Sequence, residues 1–147
     1  IKFFKALQKN EPIVPKQTSY ARVISGEIPI LFDYDFNAYR GQYKDNAPVT
    51  FVIPKEGTVT FPYIMGLVAN GPNAANGKKV LDFVLSDDSQ AMWGNAFLRP
   101  VFADKLSKDA AAKFLPAADY VRAKPIDLKK LGAAQKAISD RYKAEVN

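Results

Sequence analysis

The sequence of 147 residues contains no cysteine and no histidine. These absences exclude disulfides, thiolate nucleophiles, Cys/His zinc sites, histidine general bases and Ser-His-Asp triads. The chain also lacks an uninterrupted apolar run of the roughly 20 residues that a membrane-spanning helix needs. We therefore expect no transmembrane segment and few of the common enzyme mechanisms.

The net charge of +6 arises from 21 basic and 15 acidic residues. A surplus of this kind can attract a polyanion. The basic residues are, however, interspersed with Asp and Glu along the chain, and that pattern favours a solvated surface. We therefore expect no nucleic-acid partner, with a basic nucleic-acid module as an alternative that a steep salt dependence of binding would reveal.

Helices and apolar extended runs alternate in the first half of the chain. "KFFKALQKN" predicts an amphipathic helix rather than a secretion signal, and because the chain begins at Ile1 we expect its natural start to be missing. A second helix follows, with Thr18 and Ser19 as candidate N-caps. "IPILFDYD", residues 28–35, predicts a strand buried on both faces, and residues 49–54 and 58–70 predict further extended segments.

The second half of the sequence has a helical pattern. Residues 73–96 predict two tandem helices that break near residues 86–89, with Asn73 as N-cap and Trp93 in the core. Residues 98–124 predict loops with one helical turn. Residues 125–146 predict a final helix with an inward apolar face of Leu128, Leu131, Ile138 and Tyr142. The whole pattern indicates an α/β chain with a mostly parallel or mixed sheet.

The order of several short motifs resembles that of a known family. Gly26-Glu27 precedes the first predicted strand, "PKEG" follows the second, and an Asn-capped helix leads to "DDSQ" and then to "FLRP". This succession over residues 25–101 resembles the C-terminal half of the bacterial extracellular solute-binding proteins that deliver small solutes to ABC importers. The group in question holds iron, polyamine, phosphonate and thiamine binders.

The resemblance implies a periplasmic-binding-protein-like (type II) architecture of two α/β lobes, with a mixed sheet, flanking helices and a helical C-terminal segment. Residues 1–57 would form the C-terminal part of the second lobe, residues 58–70 a hinge crossing, and residues 71–147 a helical segment of the first lobe. The implied location is the periplasm. The implied partners are a small solute, the missing N-terminal half of the same protein and a membrane permease. The resemblance implies no cofactor and no enzymatic activity. This chain alone would leave apolar faces and sheet edges uncovered.

Candidate ligand-binding residues follow two predicted extended segments. Ligands of open α/β sheets bind outside the carboxyl ends of strands, and this rule points to Asp33, Tyr34 and Asp35. In polyamine binders that the chain resembles, aromatic residues match Tyr34 and Phe61, an amide matches Asp35 and a carboxylate matches Tyr63. Because a phenol carries no negative charge near neutral pH, Tyr63 favours an oxyanion such as phosphonate over a polyamine.

Other interpretations of these residues stay open. Asp35 would cap the next helix, Asp33 would pair with a base such as Arg40, and Tyr63 would pack within the hinge. A metal-dependent α/β enzyme that uses Asp33 and Asp35 is the alternative function. Ferric ion is less favoured as the ligand, because iron binders of this group often use two adjacent tyrosines and no "YY" occurs here. The resemblance implies that Arg99 lies on a loop near the lobe junction and acts as a hinge or rim charge.

Overall fold

The described part of the chain is mainly helical. The structure is a computed structural model that describes residues 1–14, 16 and 20–146. In chain order its elements are α1 (Lys2–Gln8), α2 (Tyr20–Ile24), α3 (Asp35–Tyr43), β1 (Thr58–Thr60), α4 (Ala74–Val84), α5 (Asp87–Asn95), a 3-10 turn (Ala103–Lys105), α6 (Lys108–Ala111), α7 (Ala117–Tyr120), β2 (Ala123–Pro125) and α8 (Leu128–Glu145). The candidate N-caps Thr18 and Ser19 lie outside the described residues.

The predicted helix boundaries of the second half are confirmed where side chains cap the backbone. α5 begins after Ser86, whose hydroxyl accepts a hydrogen bond from the Ser89 N–H at 3.3 Å, so the tandem helices break as expected. α8 begins after Asp127, whose carboxylate accepts from the Lys130 N–H at 3.0 Å. Asn73 occupies the N-cap of α4, but its side chain makes no capping hydrogen bond.

The sheet is smaller than predicted and purely parallel in the described residues. β1 pairs with β2, with Thr58 opposite Ala123 and Thr60 opposite Pro125. Of the predicted alternatives, a mostly parallel or a mixed sheet, the described residues show a parallel pair, and β2 lies in a segment predicted to contain only loops and helices. Gly57 leads into β1 with φ of +103°, and a Cβ there would lie 3.0 Å from the Arg122 carbonyl oxygen.

The prediction of a buried strand over residues 28–35 is wrong. Ile30 and Phe32 are 76% and 90% exposed, and residues 28–34 form no ladder. Residues 49–54 form no strand either, although Ile53 is buried, and only Thr58–Thr60 pairs within residues 58–70. A strand needs a neighbour for its backbone hydrogen bonds, and the described chain places none beside these apolar segments.

The core lies between α3, residues 49–54 and residues 97–114. Tyr39 is 1% exposed, and its ring centroid lies 5.0 Å from that of Phe51 and 5.2 Å from that of Phe114. Tyr43 stacks between Tyr39 and Phe97, with centroid distances of 6.3 and 6.2 Å. These ring contacts fix α3, which begins at the predicted ligand-binding residues, against the core.

Large apolar faces remain uncovered. The accessible surface is 11698 Å², whereas a compact monomer of this mass exposes about 7,500 Å². Three residues of the predicted inward face of α8, Leu128, Leu131 and Ile138, are exposed, whereas Tyr142 is half-buried with its ring centroid 5.2 Å from that of Phe4 on α1. Trp93, which we expected in the core, is partly exposed. Further burial of the exposed side chains would require an additional packing partner. None of the described helices is both long enough and apolar enough to cross a membrane.

Candidate functional site

Three rings from two distant segments meet at the start of α3. We call Tyr34, Phe36 and Tyr63 the aromatic cluster. The centroids of Tyr34 and Phe36 lie 5.3 Å apart in a stacked arrangement, and Tyr63 lies 6.5 Å from Tyr34 and 6.4 Å from Phe36. Tyr34 is 52% exposed and Tyr63 is 74% exposed. The cluster therefore unites residues from both segments that the sequence singled out, with ring surface open to solvent.

Acidic side chains fix the backbone beside the aromatic cluster. Asp33 Oδ1 accepts hydrogen bonds from the Tyr34 N–H at 2.7 Å and from the Asn37 amide at 3.0 Å. Asp35 Oδ1 accepts from the Phe36 N–H at 2.9 Å. Tyr34 rather than Asp35 is the N-cap, and Asp35 lies in the first helical turn, where negative charge is favourable. These contacts hold the rings at positions 34 and 36 in place.

Arg99 connects Asp35 to the C-terminal segment. Its Nε lies 3.5 Å from Asp35 Oδ2, and its guanidinium carbon lies 4.0 Å from the centroid of the Tyr120 ring. Arg40, which was expected beside Asp33, lies 3.6 Å from Asp45. The family resemblance predicted a hinge or rim charge at Arg99, but the sequence carried no signal for its partners, since Asp35 and Tyr120 are distant along the chain.

A pair of hydrogen-bonded phenols lies beneath Arg99, with Tyr39 buried and Tyr120 half-buried. The Tyr39 and Tyr120 hydroxyl oxygens are 2.5 Å apart, and the Leu115 N–H donates to Tyr39 at 2.9 Å. Burial raises the pKa of both tyrosines, and their mutual hydrogen bond raises that of Tyr120 further. Both phenols therefore stay neutral near neutral pH and hold the Tyr120 ring as a fixed surface for the guanidinium. Sequence reasoning had not identified Tyr120.

The remaining candidate, Phe61, is not part of the cluster. It follows β1 and is 49% exposed, and no described ring contacts it. The structure thus brings together the rings of Tyr34, Phe36 and Tyr63. Asp33 and Asp35 flank Tyr34 in the sequence, and Phe61 makes none of these ring contacts.

The carboxylates are not arranged as an acid and base pair. Asp33 bonds to backbone and amide N–H groups, whereas Asp35 faces Arg99. Within residues 1–14, 16 and 20–146 no group of three or more His, Cys, Asp or Glu side chains could hold a metal ion. The arrangement therefore gives no support to the metal-dependent enzyme, and it offers stacking surfaces, phenol hydroxyls and one paired charge for binding a solute.

Comparison with known proteins gives a match to a family model. The family model described as "Bacterial extracellular solute-binding protein" matches residues 1–124. No significant match was found among curated proteins or among solved structures. Members of the matched family are solute-binding components of ABC transporters and not enzymes, and their family indicates a type II periplasmic-binding fold. Since the match covers most of the sequence, the chain belongs to the family of bacterial extracellular solute-binding proteins.

Proposed function

We propose that this chain forms the C-terminal part of a periplasmic solute receptor that captures a small solute at the aromatic cluster and delivers it to a membrane permease. The observation that carries the proposal is the meeting of Tyr34 and Tyr63, whose exposed rings lie 6.5 Å apart. Two rings from distant segments present a solute with stacking surface and phenol hydroxyls. The family supports the class of activity, and the exposed aromatic cluster supports this location for the binding site.

The uncovered surface supports a two-lobed arrangement. Large apolar side chains are exposed along α1, residues 28–34, residues 61–68 and α8. We assign residues 1–57 to one lobe, 58–70 to a hinge crossing and 71–147 to the other lobe, with the N-terminal half of the same protein as the partner that covers these faces. Closure of the lobes would then enclose the solute at the cluster.

The charge balance favours an oxyanion, such as a phosphonate, over a polyamine. Asp35 is the nearest acidic side chain to Phe36 along the chain, and Arg99 lies 3.5 Å from its carboxylate. Tyr63 adds a phenol O–H that can donate to an anionic oxygen, and hydrogen bonds to charged acceptors are stronger than neutral ones. Ferric ion ranks below both, since no group of carboxylates among the described residues accompanies the rings of Tyr34 and Tyr63. The other pair of phenols, Tyr39 and Tyr120, hydrogen-bond to each other.

The test is calorimetric titration of the protein at its full natural length with methylphosphonate, spermidine, thiamine and ferric citrate. We expect methylphosphonate to bind most tightly. Replacing Tyr63 by Phe removes only the hydroxyl, and loss of one hydrogen bond to a charged group should weaken binding about tenfold. Tight spermidine binding would refute the oxyanion assignment. Failure of all four probes to bind would refute solute capture from this group.

A further inference from the structure

We propose that Arg99 sets the charge specificity of the aromatic cluster by neutralising Asp35. The proposal rests on the proposed function, because it concerns the ligand of the same site. Arg99 itself lies outside the ring cluster and outside the predicted set of ligand-binding residues, and it acts through the Asp35 carboxylate.

Without Arg99 the composition of this site would suit an organic cation. The faces of aromatic rings attract ammonium and guanidinium groups, and the attraction increases when a carboxylate is close by. Asp35 lies between two residues of the cluster in the sequence, Tyr34 and Phe36, whose rings stack at 5.3 Å. A cation stacked on these rings would lie within Coulombic range of the neighbouring Asp35 carboxylate, and the rings and the carboxylate would then supply both parts of a cation site.

The guanidinium of Arg99 reverses this preference. Its Nε lies 3.5 Å from Asp35 Oδ2, so the Asp35 charge is balanced before any solute arrives. The Arg99 and Asp35 side chains are 41% and 28% exposed, which leaves the pair at the surface where a solute can reach it. A cation would meet a like charge there, whereas an anion would meet further guanidinium N–H donors.

The position of Arg99 is fixed from below. The guanidinium lies 4.0 Å over the Tyr120 ring, and the Tyr120 hydroxyl lies 2.5 Å from that of Tyr39, which is 1% exposed. Three residues further along, the Phe102 N–H donates to the buried side chain of Gln90 at 3.1 Å. Both the ring under Arg99 and the loop that carries it are thus attached to buried groups, so the guanidinium stays beside Asp35.

The test compares Arg99→Gln, Arg99→Lys and Asp35→Asn in the protein at its full natural length, with spermidine and methylphosphonate as probes in calorimetric titrations. Arg141→Gln is the matched control, since Arg141 pairs with Glu145 at 2.8 Å on α8. We expect Arg99→Gln to gain about fivefold in spermidine affinity, the scale of a partly exposed ion pair. Arg99→Lys and Arg141→Gln should keep the wild-type order of the two probes. Asp35→Asn, which leaves Arg99 unbalanced, should bind methylphosphonate more tightly.

A gain of cation affinity is a result that simple loss of structure would not produce. The proposal is overturned if Arg99→Gln binds spermidine no more tightly than the wild type. If Arg99→Gln does not fold, Asp35→Asn decides, and an unchanged methylphosphonate affinity overturns the proposal. If the wild type binds neither probe while Arg99→Gln gains spermidine binding, the proposal stands and the oxyanion assignment fails. If the wild type binds methylphosphonate but neither variant changes, only the role of Arg99 fails.

Discussion

Replacement of Gln90 by Met should destabilise the protein by removing two hydrogen bonds at one buried position. Gln90 is 2% exposed. Its Nε2 donates to the Val84 carbonyl oxygen at 2.9 Å, and its Oε1 accepts from the Phe102 N–H at 3.1 Å. Val84 is the last residue of α4, so its carbonyl has no partner within that helix. The Gln90 side chain thus ends one helix and holds the loop that carries Arg99.

The expected loss follows from the surroundings of these two backbone groups. Methionine has nearly the volume of glutamine, so the change removes polar contacts with little change in packing. A buried group left without a partner costs about 1–3 kcal/mol, but Phe102 is 41% exposed and water can replace part of its bond. We therefore expect a decrease of about 1–3 kcal/mol in the free energy of unfolding, dominated by the Val84 carbonyl.

Urea denaturation of the protein at its full natural length, followed by circular dichroism, measures this loss. Gln135→Met is the control, because Gln135 is exposed on α8 and the same chemical change there should have little effect. A decrease below about 0.5 kcal/mol for Gln90→Met, the usual range of surface substitutions, would show that the two hydrogen bonds do not stabilise the fold.

Three further perturbations test other contacts. Burial raises the pKa of Tyr39 and Tyr120. Above about pH 10 these phenols therefore ionise more readily in the unfolded than in the folded chain, and the free energy of unfolding should fall. In alkaline denaturation, Tyr120→Phe should show a smaller fall than the wild type. Hydrogen bonding to basic side chains lowers the pKa of Glu145 to about 2. The stabilisation from the contacts of this exposed carboxylate should be present above its unfolded pKa and lost as the pH falls through 2. NMR titration of Glu145 should give a pKa near 2 rather than its ordinary value. Gly94→Ala would place a methyl group against Leu106 and lower stability by about 1–3 kcal/mol; thermal melts should show partial recovery in the double variant with Leu106→Ala.

The sequence predicts the local helices of this chain better than the pairing of its strands and the packing of its apolar faces. The two tandem helices and α8 form as expected because their caps, Ser86 and Asp127, act on backbone groups within a few residues. The strand over residues 28–35 does not form, because an apolar run indicates burial without supplying the neighbour that would bury it. Similarly, the apolar face of α8 has the predicted periodicity, yet Leu128, Leu131 and Ile138 stay exposed and Tyr142 contacts the Phe4 ring of α1.

The candidate site shows the same division. The motif order singled out Tyr34 and Tyr63, and the structure places their rings 6.5 Å apart. The motif order gave no signal for the contact of Arg99 with Asp35 or for the position of the Tyr120 ring, because both depend on how the C-terminal segment packs against α3. The family motifs therefore predict residues that the fold brings together, while the ion pair beside them is visible only after folding.

The most direct test of solute capture at the aromatic cluster is the affinity of Tyr34→Ala for the tightest-binding solute, measured by calorimetry at full natural length. Phe83→Ala on α4 is the matched control, because Phe83 is 56% exposed, close to the 52% of Tyr34, and lies outside the cluster. Loss of one stacking ring should weaken binding roughly three- to tenfold in Tyr34→Ala and leave Phe83→Ala unchanged. Equal affinities of Tyr34→Ala and the wild type would contradict the account.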